Sequence, residues 1–145
     1  MSFSIGVDIV DVKDFSKRIA RTPSLTKRLF TPNEIKSCEK RPVEHLASRL
    51  AAKEAFKKAS GIDEVPWHSL EINSLASGKP IMKLDKNLRA RAGVKSIDVS
   101  LRESLCLVEA EVGEALDHMQ IPALQLHLFR EERAEVQVER VRKAV

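Results

Sequence analysis

One acidic residue stands inside an otherwise apolar helical segment near the middle of the chain. Residues 46–60 read LASRLAAKEAFKKAS, and at about 100° per residue their leucines, alanines and phenylalanine cover most of the helix circumference. A helix of this kind is predicted to be largely buried. Its polar arc is basic, with Arg49, Lys53 and Lys57 at four-residue steps, whereas Glu54 projects from the apolar side.

A carboxylate in that position needs a counter-charge. Burying an unpaired ion costs several kcal/mol even after the protein relaxes. Lys58 follows Glu54 by four residues, in the favourable order for an ion pair within a helix, which contributes roughly 0.2–0.5 kcal/mol. The other solution is a divalent metal ion, completed by a second carboxylate and by the anionic oxygens of a ligand. The helix alone leaves both alternatives open.

Apolar alternation, turn residues and helix caps predict short elements around this central helix. Strands are predicted over 3–9, 70–73, 81–84, 97–101 and 105–112, and helices over 12–22, 32–40, 42–60 and 86–92. Gly78-Lys79-Pro80 marks the turn of a hairpin. The predicted fold class is α+β, with short antiparallel strands packed on the long central helix. Beyond residue 112, strand and helix patterns fit about equally well.

The first strand alternates apolar and small or polar residues. The apolar residues are Phe3, Ile5, Val7 and Ile9. We expect this apolar side to face inward, Asp8 to lie on the other face, and Gly6 to leave open space beside Asp8.

Length and composition limit the classes of function. The 145 residues fit one domain, with 25 basic and 21 acidic residues and a formal net charge of +4. Two cysteines, no signal-peptide pattern and no long apolar run favour a cytoplasmic protein that does not enter a membrane. An aromatic content of 4% and the absence of Tyr argue against a nucleic-acid partner.

The outer side of the first helix is basic. It carries Lys13, Lys17, Arg18 and Arg21. Such a side is either a solvated helix face or a docking surface for an acidic partner.

Four segments occur together in a characteristic order. They read GVDIV at 6–10, RLFTPNE at 28–34, LASRLAAKEAFKKA at 46–59 and GKP at 78–80. In this combination the chain resembles the holo-acyl-carrier-protein synthases, which are the small 4′-phosphopantetheinyl transferases. The resemblance covers residue 5 to about residue 112. We therefore expect a transferase-like domain over 1–112 and a C-terminal extension of unknown role over 113–145.

The resemblance implies transfer of the 4′-phosphopantetheine arm of coenzyme A to a serine of an apo acyl carrier protein, with Mg²⁺ and with release of 3′,5′-adenosine diphosphate. Asp8 and Glu54 would hold the metal, Glu54 and Lys58 would be catalytic, and a metal-bound water or Glu54 would take the serine proton. Family positions that bind coenzyme A correspond to Arg49, Lys53, Lys58, Gly78, Lys79, Pro80 and Ser100. The basic side of the first helix would dock the carrier, and a homotrimer is implied.

The chain departs from the family in one segment. The family usually has Ser-x-Ser-His where residues 98–101 read DVSL. Leu101 can neither bind a phosphate through a hydrogen bond nor transfer a proton. Asp98 adds negative charge near the coenzyme, for which Lys95 or Arg102 would have to compensate. The alternative function is therefore a catalytically impaired member that serves as a carrier-binding or assembly subunit.

Overall fold

The computed structural model describes residues 2–102 and 105–112. Its strands are β1 (Ser2–Ile9), β2 (Leu70–Ser74), β3 (Pro80–Leu84), β4 (Val94–Arg102) and β5 (Leu105–Val112). Its helices are α1 (Val12–Arg21), α2 (Ser24–Leu29), α3 (Pro32–Ser37), α4 (Pro42–Ser60) and α5 (Lys86–Ala92), with a 3-10 turn at Trp67–Ser69. The α+β class is confirmed. Helix α2 was not predicted, and the C-terminal extension lies outside the described residues.

The predicted helix starts are confirmed by their capping contacts. The side chain of Asp11 accepts a hydrogen bond from Asp14 N at 2.8 Å, and that of Asp85 accepts one from Leu88 N at 2.7 Å. These bonds satisfy amide groups that have no partner within the helix. Helix α4 ends at Gly61, whose φ of 62° is left-handed and favours glycine.

The strands form two antiparallel sheets. The larger sheet has the order β1-β5-β4, and β2 pairs with β3 in a separate hairpin. Helix α4 packs across the larger sheet and is buried over much of its circumference, as the sequence predicted. The two main clusters of buried apolar residues both include α4, one around Phe56 and Ile72 and the other around Phe15 and Phe30. Within the described part of the chain, no helix is both long and apolar enough to cross a bilayer.

Strand β1 faces the opposite way from the prediction. Phe3 and Ile9 are 58% and 63% exposed, whereas Gly6 is buried against α4. A Cβ atom at Gly6 would overlap the carbonyl group of Ala55, so only glycine allows the helix backbone to come this close. The expected inward apolar side is therefore wrong, and so is the expected open space, because α4 fills it.

Candidate active site

Asp8 lies on the face of β1 that packs against α4. Its Oδ1 accepts a hydrogen bond from Lys58 Nζ at 2.7 Å, and the same ammonium group donates to the carbonyl of Val7 at 3.1 Å. The close approach of helix and strand at Gly6 brings Lys58 within reach of both oxygens. Lys58 therefore fixes the Asp8 carboxylate from the helix side.

Glu54 differs from the prediction in burial and in partner. Its side chain is 34% exposed, and its Oε2 lies 3.5 Å from Lys57 Nζ. Of the two alternatives for Glu54, the ion pair with Lys58 is not formed, because Lys58 turns to β1 and bonds Asp8. Since residues four apart lie on one side of a helix, Glu54 lies one turn from the lysine that holds Asp8. Asp8 therefore contacts α4 at Lys58, and Glu54 lies one helical turn from that contact.

The deeply buried acid is Glu34, which the sequence identified only as part of a helix start. Its Oε2 accepts from Lys53 Nζ at 2.8 Å and from Thr31 N at 2.8 Å. Its Oε1 accepts from Ile72 N at 2.9 Å. Both members of the Lys53–Glu34 pair are 0% exposed. In the sequence, Glu34 stands three residues after Thr31 and fits a capping box, which the structure contains. That local pattern does not show that Glu34 is also buried.

The predicted basic arc on α4 is wrong for two of its three members. Lys53 is fully buried, and its Nζ also donates to the carbonyls of Leu29 at 2.8 Å and Trp67 at 2.9 Å. Burial lowers the pKa of the Lys53 ammonium, and the hydrogen bond to Glu34 opposes that shift. All three donor positions of this lysine are used within the fold. Lys53 therefore has no donor left for a coenzyme phosphate.

Arg49 is the other buried member of that arc, at 6% exposure. Its terminal nitrogens donate to the carbonyl of His45 at 3.1 Å and to Ser37 Oγ at 3.2 Å, and its Nε has no partner. Among the described residues no carboxylate forms an ion pair with it. A buried guanidinium with a free N–H and no acid is suited to an anionic ligand.

An exposed ion pair joins the Gly78-Lys79-Pro80 turn to β4. Lys79 Nζ lies 3.2 Å from Asp98 Oδ1. The sequence named Lys95 or Arg102 as possible compensating cations for Asp98, and the structure adds Lys79 of the predicted coenzyme turn, which it did not name. Ser100 is exposed, as is Asp98 two residues earlier. This arrangement places the turn and the exposed face of β4 in one surface region.

Leu101 lies in the same cross-strand row as Asp8. Leu101 is opposite Cys106 in β4–β5, and Cys106 is opposite Asp8 in β1–β5. Strand spacing is about 4.8 Å, so the backbones at Leu101 and Asp8 are roughly 10 Å apart. Leu101 is partly buried against the apolar cluster around Phe56. The position that departs from the family therefore carries an apolar side chain in the same row as Asp8.

The predicted basic side of α1 is exposed. Its members are Lys13, Lys17, Arg18 and Arg21. Phe15 is buried on the opposite side, so the helix is amphipathic and its cations point to solvent. Lys17 forms an exposed ion pair with Asp14 at 3.0 Å, which leaves the other three cations with no ion pair in the described structure.

The described residues contain no group of three or more histidine, cysteine or acidic side chains arranged for a metal ion. The Asp8 and Glu54 carboxylates are two hard oxygen donors, which is few for an all-protein cage. Mg²⁺ is often bound by only one or two carboxylates, with waters and substrate phosphates completing its octahedron. The donor set here fits that mode of binding.

Comparison with known proteins agrees with this geometry. Residues 4–109 match the family model described as the 4′-phosphopantetheinyl transferase superfamily. A holo-[acyl-carrier-protein] synthase of Leifsonia xyli subsp. xyli is 41% identical over 116 residues, which cover 77% of this chain and 95% of the relative.

Solved structures show the same fold. The structure of holo-[acyl-carrier-protein] synthase from Neisseria meningitidis has a TM-score of 0.65 at 30% identity, and the match covers 74% of this chain and 97% of that one. A structure described as the Chronobacterium ammoniagenes ACPS-CoA complex has a TM-score of 0.67 at 24% identity, covering 79% and 100%, and it supports the fold alone. The chain belongs to the 4′-phosphopantetheinyl transferase superfamily.

Proposed function

We propose that the chain transfers the 4′-phosphopantetheine arm of coenzyme A to a serine of an apo acyl carrier protein and releases 3′,5′-adenosine diphosphate. The observation that carries the proposal is the hydrogen bond from Lys58 to Asp8, which joins α4 to β1 one helical turn from Glu54. Phosphoryl-type transfer needs mainly positioning and neutralised charge, which such a set of acids and cations supplies.

Asp8 and Glu54 would hold Mg²⁺. Their side chains are 16% and 34% exposed, so both carboxylates can be reached from solvent while being anchored on regular elements. When bound, the ion supplies charge neutralisation at the pyrophosphate of coenzyme A. The pyrophosphate oxygens would complete its coordination.

Side chains of the protein can supply proton removal and charge stabilisation for the transfer. A base must remove the serine proton, and Glu54 or a water molecule can do so. The serine oxygen then forms a bond to the phosphorus that carries the pantetheine arm, and the bond from that phosphorus to the adenosine diphosphate oxygen breaks. Lys58 orients the Asp8 carboxylate through its hydrogen bond, and its ammonium can offset the charge that develops on the leaving group.

Coenzyme A would lie along Arg49, the 78–80 turn and Ser100. The free Nε of Arg49 supports an anion there, and the Lys79 ammonium is 60% exposed. Lys53 is assigned a structural role instead, because its three hydrogen bonds are made within the fold.

The exposed cations of α1 would dock the carrier, because acyl carrier proteins are acidic and opposite charge speeds encounter. The exposed apolar side of β1, with Phe3 at 58% and Ile9 at 63%, supports burial of this face in a homotrimer. We place the protein in the cytoplasm, where coenzyme A and apo carriers would meet it.

The test is a mass assay. An apo carrier protein incubated with the full chain, coenzyme A and MgCl₂ should gain the mass of one phosphopantetheine arm. Glu54→Gln and Asp8→Asn should lose at least about 100-fold in rate, because each removes a charged ligand at the proposed centre. Lys40→Met is the matched control, since Lys40 is exposed and precedes α4. Unchanged turnover in Glu54→Gln would exclude the metal role.

The second candidate function is a catalytically impaired, carrier-binding subunit. Leu101 favours it, because an apolar side chain stands in the row of Asp8 where the family usually has histidine. Absence of transfer to several carriers at protein concentrations that saturate carrier binding would select this function. A large gain of rate in Leu101→His would show that the chain retains transferase machinery but runs impaired.

A further inference from the structure

Lys57 contacts both a carboxylate of the candidate centre and an aromatic ring. Its Nζ lies 3.5 Å from Glu54 Oε2 and 4.5 Å from the centroid of the Trp67 ring. Its side chain is 25% exposed. The ammonium is therefore shared between an acid and a ring face.

The two lysine contacts at the candidate centre differ in tightness. Lys58 donates a hydrogen bond to Asp8 at 2.7 Å, whereas the 3.5 Å separation of Lys57 and Glu54 exceeds the usual range for an N–H···O bond. A cation over an indole face is stabilised to about the same extent as a surface ion pair. Lys57 thus has a second site, the Trp67 ring, that does not depend on Glu54.

The Trp67 ring is anchored independently of Lys57. The backbone carbonyl of Trp67 accepts a hydrogen bond from the buried Lys53 at 2.9 Å. The ring side packs against the apolar cluster that includes Phe15 and Phe30. The ring therefore offers the ammonium a fixed position beside α4.

We propose that Lys57 is a positioning residue, the resident counter-cation of Glu54. While no divalent cation is bound, its ammonium is shared between Glu54 and the Trp67 ring. When Glu54 becomes a metal ligand, the ammonium shifts onto the Trp67 ring alone. This inference rests on the proposed metal role of Glu54. Lys57 then competes with the metal for the carboxylate and raises the Mg²⁺ concentration at which the centre fills.

Trp67 is the single tryptophan of the chain, so its emission reports on this contact. MgCl₂ is titrated into the full chain with coenzyme A present, and binding is followed by fluorescence and by calorimetry. The wild type should show a change of Trp67 emission on filling. Lys57→Met should bind Mg²⁺ roughly fivefold more tightly at low salt, the factor for one unit charge about 4 Å away in a water-like dielectric.

The gain should shrink as salt screens the charge, and the emission change should be lost in Lys57→Met. Turnover at saturating Mg²⁺ should stay near the wild-type value while the Mg²⁺ concentration for half-maximal rate falls. Lys57→Arg should behave like the wild type, because it keeps the cation. Lys40→Met is the matched control, since it removes the same charge before the start of α4, and that start lies roughly 18 Å from Glu54 along the helix axis.

The outcomes separate this inference from the proposed function. Equal Mg²⁺ affinity and equal emission changes in wild type and Lys57→Met would overturn the role of Lys57 and leave the metal centre in place. Full Mg²⁺ binding by Glu54→Gln would overturn both the metal role and this inference. Tighter Mg²⁺ binding by Lys57→Met, together with no transfer to any carrier, would support Lys57 and reject the transferase function.

Discussion

Helix α4 carries two lysine–acid pairs one turn apart, and they belong to different environments. Lys53 and Glu34 are 0% exposed and lie 2.8 Å apart, and their other hydrogen bonds go to four backbone groups outside α4. Lys57 and Glu54 are partly exposed and 3.5 Å apart. The first pair joins α4 to α3 and β2, whereas the second can exchange its partners.

The comparison shows that Glu54 differs from Glu34 in how readily it can exchange its lysine partner for a ligand, and not in its charge. A charge whose every partner is internal stabilises the fold, and removing one partner leaves the other uncompensated. A charge with a long contact and access to solvent can take a ligand at little cost. By this criterion Glu54 is suited to taking a ligand, whereas Glu34 and Lys53 are suited to holding the packed elements together.

The largest effect is expected from breaking the buried pair. Lys53→Met leaves Glu34 buried without its cation and should lower the free energy of unfolding by about 3–5 kcal/mol. Lys57→Met, one turn on, should lower it by less than about 1 kcal/mol, because its pair is partly solvated. Urea denaturation followed by circular dichroism measures both.

A control separates charge from packing in that experiment. Adding Glu34→Gln to Lys53→Met removes the orphaned charge and should recover part of the lost stability. The contrast between the two lysines would be refuted by equal losses in Lys53→Met and Lys57→Met.

The next effect tests the close contact between β1 and α4 at Gly6. Gly6→Ala places a methyl group on the carbonyl of Ala55, so β1 and α4 must separate, at a cost of about 1–3 kcal/mol or more. Transfer should fall further than stability, because the separation moves Asp8 away from Lys58. Ser4→Ala, on the same face of β1, is the matched control and should leave both nearly unchanged. Wild-type transfer by Gly6→Ala would show that the close contact is not needed.

A smaller effect is expected at the start of α3, which supports the buried pair. Thr31 Oγ1 accepts from Glu34 N at 3.2 Å and donates to Glu71 Oε2 at 2.6 Å. Thr31→Ala removes the cap and should cost about 1 kcal/mol, measured by urea denaturation. Thr31→Ser keeps the hydroxyl and should cost less, and an equal loss in the two variants would assign the effect to the methyl group.

The sequence predicted what depends on local pattern. Alternation and caps located β1 and the starts of α1, α3 and α5 because these signals act within a few residues. Asp8 and Glu54 were named as metal ligands through a family resemblance, and their metal role stays a prediction. The fold class followed from the same element pattern.

What the sequence did not predict depends on which surfaces meet. Strand alternation gives two faces but does not show which face is buried. At β1 the face with Gly6 is buried, because the missing side chain lets the backbone of α4 come close. On α4, helical spacing grouped Lys53 with Arg49 and Lys57, but it could not show the acid that holds Lys53, which lies 19 residues earlier. The pairs of Lys58 with Asp8 and of Asp98 with Lys79 were missed for the same reason, since each joins two different elements.

The smallest effect concerns pH and the acid next to the buried pair. Hydrogen bonds, first from the Thr31 hydroxyl and then from Asn73, lower the pKa of Glu71 below its ordinary value of 4.5. A carboxylate whose folded-state pKa is depressed contributes stability above its unfolded pKa, and that stability is lost as the pH falls through the folded-state pKa. Unfolding followed from pH 7 to pH 3 should therefore show a shallow loss that begins near the unfolded pKa. Glu71→Gln should flatten that part of the profile, because it removes the titrating carboxyl group. An unchanged profile in this variant would contradict the role of Glu71 in acid sensitivity.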